Sequence, residues 1–597
     1  TMPTYNPPLR DMQFVLHEVF NVTEDFRQMP AFAEVDADTI NAVLEEGGKF
    51  ASQVIQPLNI SGDTEGCTLD KATHEVTPPK GYKEAYQQYV EGGWPALSCD
   101  PEFGGQGLPA TINGCFYEML NGANQAWTMY PGLSHGAYEA MLAHGTDWQK
   151  KVYLPKLVSG EWTGTMCLTE PHCGTDLGLL KTRAEPDADG SYRVSGTKIF
   201  ITAGEHDLTE NIVHLVLARL PDAPPGVKGI SLFIVPKFKV GKDGKLGERN
   251  ALAVGSIEHK MGIKASVTCV MNFDHAEGWL IGAPNKGLMA MFTMMNTARL
   301  AVGLQGLGLI ERGYQNSLNY ARDRLQMRSL SGAKYPDKPA DPLIVHPDVR
   351  RMLLTQKSFA EGCRVLAMYA YLQHDISTHS ADENERKRGE ELVSFLTPIV
   401  KGLLTELAQE ATYDAVQIYG GHGYIAETGI EQFSRDARIT TLYEGTTQIQ
   451  ANDLLGRKIL QLNGAGLKHF LGEISAFCQE NTSNAEMGEF IAPLAIVTKE
   501  WSDLTQEIAK RTRGNPEEIG AAAVDYLFYS GYVALAYCWA RSVAALAGSA
   551  QSGEFKEAKR HTARFYFSRI LPRIHAHGAA IRAGADTLMA MPESQFG

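Results

Sequence analysis

The stretch SYRVSGTKIFITAG, Ser191 to Gly204, decides the fold. It is rich in β-branched and aromatic residues and ends on glycine, which predicts a strand. Three more segments share its texture: NIVHLVLARL (Asn211 to Leu220), GISLFIVPKF (Gly229 to Phe238) and SVTCVMNFDH (Ser266 to His275), with Gly, Pro and Asp between them. A parallel dinucleotide-binding sheet needs helical crossovers between its strands, and this run has none. An antiparallel barrel or sandwich is therefore expected.

Outward from this β block the period changes to helical on both sides. Apolar residues recur at helical spacing over Asp38–Ile60, Tyr82–Val90, Gly114–Gly122 and Tyr138–Leu157. Beyond it, helical pattern resumes at Gly287 and runs to Gln326. After a proline-rich loop a helix opens at Asp348, following Pro347, and extends to about Leu372, and a further pair covers Glu390 to Tyr419. The last 130 or so residues, after NGAG, are helical again. The expected architecture is α+β, mainly α, in four segments: a helical region over 1–165, a β domain over 166–285, a helical bundle over 286–462 and an additional helical domain over 463–597.

A net charge of −14 argues against general attraction to nucleic acid. Nine cysteines without a C-x-x-C pair fit reduced thiols better than a disulfide framework or a metal site. The opening TMPTYNPPLRDMQF lacks a basic region followed by an apolar stretch, so no secretory signal is expected and the compartment reads as cytoplasmic; Thr1, ahead of Met2, reads as a cloning remnant. AAAVDYLFYSGYVALAYCWA, Ala521 to Ala540, is about as long as a bilayer span, but Asp525 and the nearby Arg541 favour a buried bundle helix. The basic run after it (Lys556, Lys559, Arg560, Arg564, Arg569, Arg573) fits a solvated helix face better than a membrane surface.

Three stretches carry candidate chemistry. CLTEPHCGTD, Cys167 to Asp176, runs a strand into a turn whose amides and hydroxyls suit an anion or a plain strand ending. GTKIFITAG, Gly196 to Gly204, sets Phe200 and Thr202 two apart. QIYGGHGYIAETG, Gln417 to Gly429, permits close backbone approach to a ligand but also reads as a helix-capping loop. In TLYEGTTQIQ, Thr441 to Gln450, Glu444 is either part of a surface turn or a base aimed into a pocket.

Taken in order with NTARLAVGLQGLG and RDARI, these motifs resemble the acyl-CoA dehydrogenase family of flavoenzymes, over about residues 40 to 460. The opening YNPPLRDMQFVLHEVF and the helical tail resemble a longer bacterial branch of that family. The resemblance implies that Glu444 removes the α-proton of an acyl-CoA thioester while hydride leaves for FAD. Some relatives carry the base one residue before the arginine matched by Arg299; position 298 is alanine here. It further implies that Thr169 and Thr202 bond the flavin ring, that Phe200 packs on it, that Thr175 faces the pyrophosphate, and that Thr446 and Gln448 touch the far end of FAD. Gln417, Gly420 and Gly421 would reach FAD from a neighbouring subunit, which makes a homodimer or homotetramer. Arg324 fits the pyrophosphate arginine by register, with Arg322 and Arg328 as competitors. Asn296, Arg299, Tyr443 and Gly445 would line the substrate, and Thr128 and Gly132 the pocket floor, where glycine favours medium to long chains. No metal is implied. The expected electron acceptor is an electron-transfer flavoprotein; an oxygen-using oxidase and a catalytically silent scaffold are the rival readings.

Overall fold

The computed structural model describes residues 2–597; the reading of Thr1 lies outside them. The chain divides into two compact units, one of residues 1–48, 110–122 and 299–597, the other of residues 49–109 and 123–298.

The second unit contains the β domain. The strands Arg183–Pro186, Tyr192–Thr202, Thr268–Ile281, Ile230–Pro236 and Asn211–Arg219 pair in that order, and the last returns to the first, so the sheet closes on itself as a small barrel. Closure leaves few open edges. The pairings are antiparallel except at two places: the single Arg183–Arg219 bridge, and the strand Trp162–Cys167, which lies parallel to Asn211–Arg219. Gly196 sits where a β-carbon would fall 2.3 Å from Thr182 Oγ1, so no other residue fits. The expected helix over Tyr138–Leu157 is two helices, Ser134–His144 and Asp147–Ser159. Gly145 interrupts the chain, and Thr146 starts the second helix with a capping box to Gln149.

The first unit is a bundle of long helices. Gly287–Asp323 contributes its part from Arg299 onward, followed by Pro347–His379 and Glu383–Tyr419. The last was expected as a pair; it is one helix, which passes through Pro398 without ending. Glu517–Ala545 packs against Gly488–Gly514, Arg573–Ala583 and the bundle helices Pro347–His379 and Glu383–Tyr419. Among the described residues it is the one helix long and apolar enough to cross a membrane by length and composition, and its burial explains that apolarity. Its neighbours meet its polar needs: Trp539 Nε1 donates to the Ser358 carbonyl at 3.1 Å, and Ser530 Oγ accepts from Trp501 Nε1 at 3.0 Å. The basic run beyond it is only in part a solvated face: Arg564 and Arg569 are exposed, but other members are committed. Lys559 is buried against Asp11 and Glu361, Arg573 pairs with Glu410 and Arg564 with Glu489.

The N-terminal segment is woven into this unit. Thr4 and Asn6 exchange reciprocal hydrogen bonds with the side chains of Asn316 and Gln315, and Arg312 Nη2 donates to the Pro3 carbonyl. The fully buried Arg364 guanidinium meets three carboxylates, Asp11, Glu118 and Glu311. Removing one side of such a cluster leaves buried charge uncompensated. Arg364→Met is expected to destabilise the fold by about 3–5 kcal/mol, measured as a fall in urea midpoint with an unchanged slope; a shift under about 1 kcal/mol would contradict this account.

Candidate active site

Glu444 sits in a short irregular link between the turn Ile439–Thr441 and the helix Thr447–Asn452. Its φ is +59°, followed by +89° at Gly445. Two successive left-handed residues reverse the chain sharply, and a non-glycine residue holds that conformation only when its surroundings enforce it. The enforcement is visible. Lys401 Nζ, fully buried in the middle of Glu383–Tyr419, donates to the carbonyls of Thr440 at 2.9 Å and Gly445 at 2.6 Å. Gln450 Nε2 donates to the carbonyls of Glu444 and Gly445, both at 3.2 Å. A β-carbon on Gly445 would lie 2.7 Å from that same Nε2, so glycine is needed for closeness as well as for φ.

The electrostatics centre on the same carboxylate. Burial raises the Glu444 acid above its ordinary range, against the lowering effect of Arg299 and Lys401. Burial pulls Lys401 down to about 8, with Glu444 opposing. Arg299 pairs with Asp453 at 3.4 Å, and its Nε is buried without a hydrogen-bond partner. Tyr443 Oη donates to Gln305, and Tyr117, pushed up to about 12 chiefly by burial, also feels the Glu444 charge. A half-buried carboxylate of raised basicity, held by backbone clamps, is equipped to accept a proton from a weak carbon acid.

In the other unit, Thr169 is joined to the strand that carries Phe200 and Thr202. The Ile199 N–H donates to the Thr169 carbonyl at 2.9 Å. Lys198 Nζ bonds the Leu168 carbonyl and, at 2.7 Å, the Glu170 carboxylate; Glu170 also accepts from Thr182 Oγ1. That buried pair pins the turn to the strand. The register slips between Cys269 and Met271 opposite Ile201 and Lys198, so the strand bulges at Phe200, which has φ +57° and is 61% exposed. A bulge re-aims a side chain, so the simple two-residue alternation expected of Phe200 and Thr202 does not apply there. Thr175 lies exposed beyond a tight turn in which Glu170 and Cys173 exchange backbone hydrogen bonds. Thr128 is buried, its hydroxyl donating to the Asn124 carbonyl at 2.8 Å where the helix Ala110–Gly132 kinks; Gly132 ends that helix, one residue past Pro131.

The remaining expected residues spread over several elements. Asn296, exposed, and Arg299 share the helix Gly287–Asp323. Arg322 and Arg324 are exposed at its end, whereas Arg328 is tied to Asp341 and to the Tyr335 carbonyl. Gln417, Gly420 and Gly421 are exposed, and a β-carbon on either glycine would meet nothing within 4 Å. Thr446 caps Thr447–Asn452 by accepting from Ile449 N–H, while Gln448 is exposed. Sequence reading missed Lys401, Gln450 and the Glu170–Lys198 pair. Lys401 had a signal, since a lone lysine inside the apolar run of FLTPIVKGLL has to find buried acceptors.

Four family models match successive stretches: acyl-CoA dehydrogenase N-terminal domain over 42–161, middle domain over 165–276, C-terminal domain over 285–459, and acetyl-CoA dehydrogenase C-terminal like over 470–592. The 3-methylmercaptopropionyl-CoA dehydrogenase of Ruegeria pomeroyi is 43% identical over 592 residues, spanning 98% of this chain and 99% of its own. The chain belongs to the acyl-CoA dehydrogenase family. It is also similar to the broad-specificity linear acyl-CoA dehydrogenase FadE5 of Mycobacterium tuberculosis, 35% identical with both chains covered completely. Among solved structures it matches the fold of Caenorhabditis elegans ACDH-11 in complex with C11-CoA, at TM-score 0.79 and 18% identity over 98% and 96% of the two chains. It also matches an acyl-CoA dehydrogenase complexed with FAD from Bacillus anthracis, at 0.72 and 20% over 96% and 91%. Membership of this family makes the chain an oxidoreductase enzyme.

Because Lys401 lowers the Glu444 pKa, its removal has a definite sign. Lys401→Met is expected to move the acid limb of the pH–rate profile to higher pH and to cut turnover at neutral pH by about tenfold or more. An unmoved acid limb would show that Lys401 does not act on Glu444.

Proposed function

We propose that the chain catalyses FAD-dependent α,β-dehydrogenation of an acyl-CoA thioester, of medium to long chain, and hands the electrons to an electron-transfer flavoprotein. The observation that carries this reading is the clamped, left-handed Glu444 with its raised basicity. An α-proton is far less acidic than a carboxylic acid of ordinary pKa about 4.3, so orientation and polarisation of the thioester must supply the rest. Glu444 takes the α-proton; Tyr443 and Gly445 flank it, and Asn296 and Arg299 contribute from their shared helix. Thr128 and Gly132 belong to the floor of the acyl site. FAD, when bound, accepts the β-hydride.

The residues present fit that cofactor. Phe200 offers an exposed ring on a bulge beside the half-buried Thr169 and Thr202, a surface suited to packing and hydrogen bonding a flat polar ring. Thr175 and Arg324 suit a pyrophosphate; Arg328 is already committed to Asp341. Thr446 and Gln448 suit the remote end. The open space over Gly420 and Gly421, next to Gln417, together with Tyr424 at 88% exposure, supports a contribution to a neighbouring subunit in a homodimer or a dimer of dimers. The domain boundaries near residues 165, 285 and 462 are part of the same reading.

A second reading of the substrate, a short thioether acyl-CoA, is favoured by the relative named 3-methylmercaptopropionyl-CoA dehydrogenase. A panel of thioesters from short to long, with sulfur-containing members, separates the two by kcat/KM. Peroxide release in place of flavoprotein reduction would point to an oxidase instead.

Glu444→Gln is expected to keep FAD and acyl-CoA binding but to lose flavin bleaching by about a thousandfold or more; near-normal bleaching would overturn the assignment. The same variant has a stability signature. A raised folded-state pKa means the folded chain binds the proton more tightly, so its stability falls as pH rises from the ordinary glutamate value through the raised one. Glu444→Gln should match the native chain in urea titrations at about pH 4 and exceed it at about pH 8. Equal stability at both would mean the burial penalty is absent.

A further inference from the structure

Within the second unit, and outside the residues assigned to dehydrogenation, a thiol, an imidazole and a carboxylate stand in line. Cys99 Sγ lies 3.8 Å from His135 Nδ1, and His135 Nε2 lies 3.0 Å from Glu139 Oε1. Cys99 is buried at the end of the short turn Trp94–Ala96 and its following loop, while His135 and Glu139 are one turn apart on the helix Ser134–His144. A nucleophile bonded to a base that is itself oriented by a third group is the geometry that activates a thiol. With Nδ1 accepting from the thiol, the ring's remaining N–H is directed at Glu139, so one tautomer satisfies both contacts.

The thiol also faces a small cavity. Cys99 and His135 share its wall with Tyr86, Tyr89, Tyr138 and Leu157, and it offers about 30 Å³ to water-sized atoms. That is room for about two oxygen atoms and not for an organic ligand. The other polar groups around it are largely committed: Tyr86 Oη donates to the Gly160 carbonyl, and Tyr138 Oη accepts from the Asp100 N–H while its ring lies beside the His135 ring. Cys99 Sγ has one further partner, the Pro95 carbonyl at 3.6 Å. Burial disfavours protonation of His135, but Glu139, with the Cys99 contact, more than reverses it and raises the ring's basicity well above its ordinary range, which makes Nδ1 a strong acceptor for the thiol proton.

We propose that Cys99, with His135 as its base and Glu139 as the group that orients it, is a peroxide-reactive thiol that forms a sulfenic acid in this cavity. The thiol proton passes to His135 Nδ1. The thiolate sulfur attacks one oxygen of hydrogen peroxide, the S–O bond forms as the O–O bond breaks, and the departing hydroxide takes the proton back from His135 as water. Sulfur loses two electrons and peroxide gains them. A soluble thiol reverses the change by forming a mixed disulfide and exchanging it. Cys167 Sγ lies 3.9 Å from His214 Nδ1, but no carboxylate orients that ring, its Nε2 is buried without a hydrogen-bond partner, and burial pulls it down to about 3; Cys115, Cys363 and Cys538 are buried and their thiols are pushed up by desolvation.

The test uses the holoenzyme, treated with about one equivalent of hydrogen peroxide in the presence of dimedone, with adducts located on all nine cysteines by peptide mass spectrometry. Cys99 should carry about tenfold more adduct than any other position, and His135→Gln should reduce it by about tenfold. Cys99→Ser should abolish the adduct at that peptide. Alkylation by iodoacetamide at neutral pH should be fastest at Cys99 among the nine cysteines and about tenfold slower there in Glu139→Gln. An unmodified Cys99, or one no more reactive than the other eight cysteines in the native chain, overturns the proposal even if the His135 and Glu139 variants fail to fold.

Discussion

One buried guanidinium organises the helical unit. Arg364 sits on the helix Pro347–His379 and holds Glu118 from Ala110–Gly132, Glu311 from Gly287–Asp323 and Asp11 from the N-terminal segment. Three carboxylates cannot be buried together without such a partner, and desolvation of the guanidinium is offset only because all three are present. Asp11 extends the cluster to Lys559, and Lys559 to Glu361, so the N-terminal segment and the last helical segment are fixed to the bundle by the same set of charges. Apolar burial makes this bundle stable; the charge cluster selects which segments may pack there, because a segment without a matching charge would leave one of these ions unpaired.

That rigidity matters at Glu444. A left-handed glutamate followed by a left-handed glycine is an unfavourable local conformation. It persists because Lys401 comes from the middle of a long helix, so a displacement of the loop has to break bonds to a part of the chain that cannot follow it. The arrangement also sets the charge balance. Lys401 and Arg299 are both close enough to lower the Glu444 pKa, and burial more than cancels them. Fewer positive neighbours would raise the Glu444 pKa further, while more would offset the effect of burial.

How much of this was legible in the sequence depends on the range of the interaction. Strands such as Asn211–Arg219 and helices such as Tyr82–Glu91 follow from local periodicity, and their boundaries were read to within a residue or two. The ordered motifs identified the family. The errors have local causes that pattern reading weights wrongly. Gly145 splits one apparent helix in two because Thr146 caps the second, whereas Pro398 lies inside a single helix, Glu383–Tyr419, whose residues around it are buried. The brace from Lys401 and the Arg364 cluster join residues tens to hundreds of positions apart, and no local pattern announces a partner at that distance.

The apolar helix Glu517–Ala545 shows how composition alone misleads. Its length and hydropathy suit a bilayer, yet the same properties follow when a helix is surrounded on every side by other helices. The decisive residues are the polar ones. A lipid-facing helix has no use for Tyr526 Oη against Thr505, or for Ser530 accepting from Trp501, whereas a helix at the centre of a bundle needs such paired groups to leave no polar atom unsatisfied. Asp525 points the same way. It reaches His577 on the helix Arg573–Ala583 at 2.8 Å, and the His577 ring lies flat on Phe528 at 5.2 Å, so the one acidic residue in the middle of the apolar run is joined to a neighbouring helix of the same chain. The burial that makes this helix apolar therefore also fixes where its few polar side chains stand.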